Sequence, residues 1–164
     1  MDAKDLRTLV DYHYWARDRV LAALDPLTPE QYTRDLQSSF RSIRDTAVHT
    51  YAAEWAWYSR WIGASPTKLL SSDAYPDVAS LRAAWIENEA NVRAFTASAG
   101  DAGIDTIHTY TMFNGTQGAS PFWQMLQHVV NHASYHRGQL TAMIRQVGGT
   151  PPQSMDMIAY YRAL

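Results

Sequence analysis

Apolar positions recur every three to four residues along four long stretches of the chain. In residues 4–24 the stripe runs through Leu6, Leu9, Val10, His13, Tyr14, Arg17, Val20, Leu21 and Leu24, a spacing that predicts an α-helix. Asp25-Pro26 ends it, because a residue before proline is pushed out of the helical region. A second helix is predicted from about Ser42 to Ile62, opened by Ser42 with Asp45 three residues on, an arrangement like a capping box with Asp in place of Glu. Apolar residues surround this helix almost completely, so it should be central and largely buried. A third helix is predicted over 78–99, with Asp77 as its N-cap and Gly100 and Gly103 breaking it. The fourth is predicted from Ser120 as N-cap and Pro121 at the first helical position to about Val147. A last short helix is expected over 154–162.

Between these stretches the pattern changes. Residues 26–40 read as a loop with one turn at Pro29-Glu30-Gln31-Tyr32, and 64–76 as a surface loop rich in turn residues. Residues 104–119 carry β-branched and aromatic side chains around Asn114-Gly115, which predicts a short hairpin or extended excursion. The expected fold is all-α: an up-down four-helix bundle with a short C-terminal fifth helix, forming one domain over 1–164. Bundles of this kind place metals in the core between facing helices.

Composition narrows the chemistry. The 164 residues include no cysteine, so disulfides, thiolate ligands and a cysteine nucleophile are all excluded. That is compatible with the cytoplasm, the expected location. A net charge of −2 and a pI near 6.3 leave no electrostatic footprint for nucleic acid. The first residues lack the layout of a signal peptide, and no apolar run approaches the ~20 residues of a membrane span. Six Trp, ten Tyr and four Phe imply a core or pocket with wide flat walls.

The strongest chemical signal is His128, His132 and His136, spaced four apart in the fourth helix. Residues i and i+4 share a helix face with Cβ atoms roughly 5–6 Å apart, which suits two imidazoles on one metal ion. All three cannot share it, since His128 and His136 lie roughly 12 Å apart along the axis and ligand bonds of about 2.0–2.1 Å do not span that. His132 and His136 are the better pair, with His128 as a neighbouring or core histidine. The third ligand must come from another element. His49 and Glu54 are the polar exceptions on the apolar second helix, and buried polar groups need partners. A metal would satisfy His49, and an arginine or backbone group would satisfy Glu54. Asp45, one turn before His49, is either an acceptor for an imidazole N–H or a helix N-terminal charge. His13 reads as a core-edge histidine and His108 as exposed. Trp55, Trp57 and Trp61 fit a core or a dimer interface better than a substrate platform.

The segment Asn131-His132-Ala133-Ser134-Tyr135-His136-Arg137-Gly138-Gln139 resembles the C-terminal signature of the DinB/YfiT-like family. Ser42-Ile43-Arg44-Asp45-Thr46-Ala47-Val48-His49, followed by Glu54-Trp55 and Arg60, resembles its second-helix signature. Tyr14-Trp15-Ala16 and the tail from Pro152 to Tyr161 also fit, so the resemblance spans nearly the whole chain. It implies a four-helix bundle holding a divalent metal through His49, His132 and His136, the three residues reached above from spacing and burial. It also implies a homodimer and, by analogy with characterised relatives, transfer or isomerisation chemistry on a small molecule with a low-molecular-weight thiol such as bacillithiol or mycothiol.

Three neutral imidazoles would leave the ion its full charge and an open position, the layout of a catalytic site. Zinc, nickel and iron(II) all accept this ligand set. A protease is disfavoured, because Ala133 stands where H-E-x-x-H has its glutamate. Arg137 either steers an anionic thiol cofactor or caps the bundle surface. A second class remains open: a non-catalytic bundle whose metal is structural or whose surface binds a partner.

Overall fold

The computed structural model describes residues 2–164. Helix α1 spans Ala3–Leu24, α2 Pro29–Thr33, α3 Ile43–Trp61 and α4 Val78–Gly103; strands β1 (Ile107–Thr111) and β2 (Gln117–Pro121) form an antiparallel hairpin; α5 spans Phe122–Gln146 and α6 Met157–Tyr161. The molecule is mostly helical, as the periodicity predicts, with a small two-stranded sheet where the β-branched stretch lies. Among the described residues no helix is long and apolar enough to cross a membrane.

Local chemistry sets the boundaries. Asp2 and Asp5 form a full capping box at the start of α1, and Thr28 with Gln31 does the same for α2. Ser42 caps α3 by accepting the Asp45 N–H. The expected break at Gly100 is a kink, with φ 55° and ψ −165°, after which α4 completes one further turn.

The start of α5 differs from the sequence expectation. Ser120 and Pro121 belong to β2, where Pro121 pairs with Ile107 and Ser120 with His108. Pro121 is the N-cap and makes no side-chain capping bond. The first amides of α5 are satisfied instead by backbone carbonyls of the preceding turn: Phe122 N–H donates to Thr106 and Trp123 N–H to Ile104. The turn between α4 and β1 therefore takes over the capping that Ser120 was expected to supply.

The hairpin turns at Asn114-Gly115, where Gly115 takes φ +83°, a left-handed conformation that glycine adopts without steric cost. Opposite Tyr110 stands Gly118. A Cβ there would come within 2.5 Å of the Tyr110 ring, so the glycine lets that ring lie across the strand and reach Trp57 on α3.

The four long helices pack in a ring. Helix α1 lies against α4 and α5, and α3 lies against the same two. The order around the ring is α1, α4, α3, α5. Helices α1 and α3 face each other across the core, joined by the long connection that contains α2. The core between them holds Leu6, Tyr14, Leu21, Ile43, Leu126 and Ile144, all almost fully buried. Trp61 is buried, whereas Trp55 and Trp57 are partly covered. Much of the apolar surface of α3 thus finds cover within the chain, under the hairpin and α4.

Candidate metal centre

The histidines at positions 49, 132 and 136 meet where α3 packs on α5. His132 Nε2 lies 3.3 Å from His49 Nε2 and 3.0 Å from His136 Nε2. One ligand atom from each of the three lies within 4.8 Å of the other two. For a tetrahedral ion with bonds of about 2.0–2.1 Å, two ligand nitrogens sit about 3.3–3.4 Å apart. The cluster therefore has nearly the spacing that a single divalent ion requires.

The electrostatics agree with the spacing. Burial, followed by the neighbouring imidazoles, lowers the pKa values of His49 and His132 to about 4. Burial also lowers that of His136, against the bond it makes to Gln139. All three are neutral near pH 7 and present lone pairs without first releasing a proton. His136 Nδ1–H donates to Gln139 Oε1 at 2.7 Å, which fixes the tautomer and leaves its Nε2 free to ligate. Phe40, from the loop before α3, stacks on the His49 ring with centroids 4.0 Å apart and meets His136 edge-on at 5.5 Å. It walls one side of the cluster with apolar surface.

Gln139→Leu is expected to weaken metal binding by about 10–100-fold, the usual effect of losing a group that orients a ligand, while helix content is unchanged. Competition with a chromophoric chelator measures this. A second expectation concerns pH. The folded metal-free chain binds fewer protons at His49 and His132 than the unfolded chain does below pH 6.5, so its stability falls as pH drops from 6.5 toward about 4. Urea midpoints at pH 7, 6 and 5 should decrease in that order. A variant with both histidines replaced by Leu should show a shallower slope.

The remaining candidates are distributed around this centre. His128 packs edge-on against Trp57, with its ring 5.9 Å from that of His132, beside the three converging histidines but outside their group. His108 is half-buried against Phe95 and Phe122 rather than exposed, because the hairpin folds back over the end of α4. Asp45 takes the helix N-terminal role: its carboxylate lies beside Arg44, and the imidazole acceptor is Gln139 instead. Arg137 is buried between α5 and α1, donating to Ser134 Oγ at 2.6 Å and to the Tyr12 hydroxyl at 3.4 Å.

Glu54 differs most from expectation. No arginine or backbone group satisfies it. His13 and Trp85 Nε1–H lie at 2.8 and 2.7 Å from Oε2, and the Tyr14 hydroxyl and Asn88 Nδ2–H donate to Oε1 at 2.8 and 2.9 Å. Burial opposes the charge, but these bonds outweigh it and hold the carboxyl below its usual pKa. His13, expected at the core edge, is buried as part of this network.

Sequence reasoning missed Gln139 as a partner and Phe40 as a wall. Gln139 stands three residues after His136, so helical spacing carried the signal. Phe40 lies in an irregular loop, where no periodicity points to it.

Fold and site together define a mostly helical protein with three histidines that could hold one metal ion between two helices. The model of the DinB family matches residues 1–163, and the chain belongs to that family. Protein DinB of Bacillus subtilis is 28% identical over 156 residues, covering 85% of this chain and 84% of the relative. A DinB-like protein from Bacillus cereus, known as a crystal structure, shares the fold with a TM-score of 0.67 at 22% identity, over 89% of this chain and 95% of its own.

Proposed function

We propose that the chain is a single DinB-type four-helix-bundle domain whose His49, His132 and His136 bind a divalent metal, zinc, nickel or iron(II). It would transfer a group between a small electrophile and a low-molecular-weight thiol. The observation that carries this reading is the convergence of three neutral imidazole nitrogens at ligand spacing. When bound, such an ion retains its full charge and an open coordination position, and supplies Lewis-acid activation to a thiol or water.

The chain's own residues supply the rest. His49 and His132 are neutral at working pH, so no proton has to leave before ligation. Gln139 holds His136 in the ligating tautomer. Phe40 excludes water from one side. With no cysteine in the chain, a sulfur nucleophile has to arrive with a substrate, which favours a thiol co-substrate over a protein thiol. The half-exposed position of His49 and His132 favours access for small molecules over a closed structural site. The reading includes a cytoplasmic location and a homodimer.

Metal-loaded protein titrated with bacillithiol, mycothiol, glutathione and coenzyme A tests the reading. Cobalt substitution should give a sulfur-to-metal charge-transfer band with at least one of them, together with turnover of a general electrophile. No band and no turnover with any thiol would leave a non-catalytic metal-binding bundle. Light scattering should show a dimer at high micromolar concentration, and a monomer there would remove the dimer from the account.

A further inference from the structure

Arg60 is 2% exposed, yet among the described residues it forms no ion pair, and its Nε and Nη2 have no hydrogen-bond partner. It contrasts with the other well-buried arginines, Arg17, paired with Asp18 and Glu89, and Arg137, bonded to Ser134. Aromatic rings surround the Arg60 guanidinium: Cζ lies 4.6 Å from the Trp57 centroid, 5.9 Å from Tyr110 and 4.8 Å from Phe113. Cation–π contact offsets part of the cost of burying the charge, but it leaves the in-plane N–H groups unsatisfied. A buried charge without a counter-ion or full hydrogen bonding is costly. The two free atoms, Nε and Nη2, form one edge of the fork, the geometry that receives a carboxylate or phosphate through two parallel bonds.

The position of Arg60 connects it to the histidine cluster. Helices α3 and α5 run antiparallel here: His49 meets His132 and His136, while Trp57, further along α3, meets His128, an earlier residue of α5. His128 lies next to His132, and Trp57 lies under Arg60. One seam therefore runs from the three histidines past His128 and Trp57 to the guanidinium. Arg60 is eleven residues beyond His49, about 16 Å along the helix axis. The hairpin tip covers the far end, where Phe113 is partly exposed and Thr111 N–H donates to Ser65 Oγ.

We propose that Arg60 is the anion-binding residue of this seam and takes the carboxylate or phosphate of the small-molecule substrate, the hairpin tip lifting to admit it. As a statement about substrate this rests on the metal-centre reading, and it makes the substrate an elongated oxyanion, its anionic group well removed along the seam from its reacting atom. As a statement about binding it stands on Arg60 alone. Trp57 and Tyr110 give the site preference for an anion attached to a flat apolar body.

Benzoate and phenyl phosphate are the probes, titrated into the full metal-free chain at ionic strength held constant with chloride. The Arg60 side-chain Nε–H resonance of the native protein should shift on saturation, and calorimetry should show binding weakened about tenfold or more in Arg60→Met, the loss expected for a charged hydrogen-bond pair. Arg60→Lys should recover only part of it, because an ammonium lacks the fork. Phe113→Ala, at the exposed tip, should speed association. A probe that leaves the Nε–H resonance unmoved, or that binds Arg60→Met as tightly as the native chain, overturns the proposal. Metal affinity of Arg60→Met, measured separately, should equal that of the native protein. Failure of metal binding in the native chain would sink the metal reading while leaving the anion titration to decide for Arg60.

Discussion

Glu54→Ala should lower stability by about 3–5 kcal/mol, the usual cost of removing one partner from a buried charged network. The carboxylate is 2% exposed and receives two groups on each oxygen. They come from α1 (His13 and Tyr14) and α4 (Trp85 and Asn88), while Glu54 itself sits on α3. One side chain thus ties three helices together across the core. Its removal leaves three or four buried polar groups unpaired, each costing about 1–3 kcal/mol where water cannot enter. For a domain of this size, whose whole stability is typically about 5–15 kcal/mol, the melting temperature should fall by roughly 10 °C. Glu54→Gln should be intermediate, because its amide turns one acceptor into a donor that faces two groups already pointing at it. Chemical and thermal unfolding measure both. A loss below about 1 kcal/mol for Glu54→Ala would show that the network is not carrying the core.

His132→Ala should reduce divalent-metal affinity by more than about 100-fold, exceeding the effect of groups that only orient ligands. His132 is the middle member of the cluster, the one whose Nε2 lies within 3.3 Å of both others. Without it only His49 and His136 remain of the cluster, their rings edge-on with centroids 4.8 Å apart. His128→Ala should change affinity only a few-fold, since that ring packs on Trp57 rather than joining the three. The contrast separates ligation from general loss of histidine, because both residues lie on the same helix one turn apart. Retained affinity in His132→Ala with loss in His128→Ala would reassign the ligands.

The periodic stretches of the chain show the helices directly, because a helix that buries one face must repeat its apolar residues every three to four positions. The histidine cluster is legible for a related reason. His132 and His136 share a face by spacing alone, and His49 stands out as a polar residue on a helix that is otherwise apolar. What the sequence hides is contact between elements distant in the chain. Glu54 is visibly a buried acid in need of partners, but nothing in its surroundings names His13, Tyr14, Trp85 or Asn88, which reach it only because α1 and α3 oppose each other across the ring. The ring order is hidden as well, since helix periodicity says which face is buried and not which neighbour covers it. The start of α5 misleads for a local reason: Ser120-Pro121 reads as a helix cap, yet pairing with Ile107 and His108 draws both residues into a strand. Arg60 looks from sequence like the end of a helix, and only the folded hairpin shows it enclosed by aromatic rings without an acid.

Whether His49, His132 and His136 hold one metal ion decides the proposed function. X-ray absorption spectroscopy of the untagged protein loaded with zinc tests it most directly, read together with metal content. One ion per chain is expected, bound by three imidazole nitrogens at about 2.0–2.1 Å with any remaining position filled by a light solvent or substrate atom. Substoichiometric metal after loading, or a shell with fewer than three imidazoles, would contradict it.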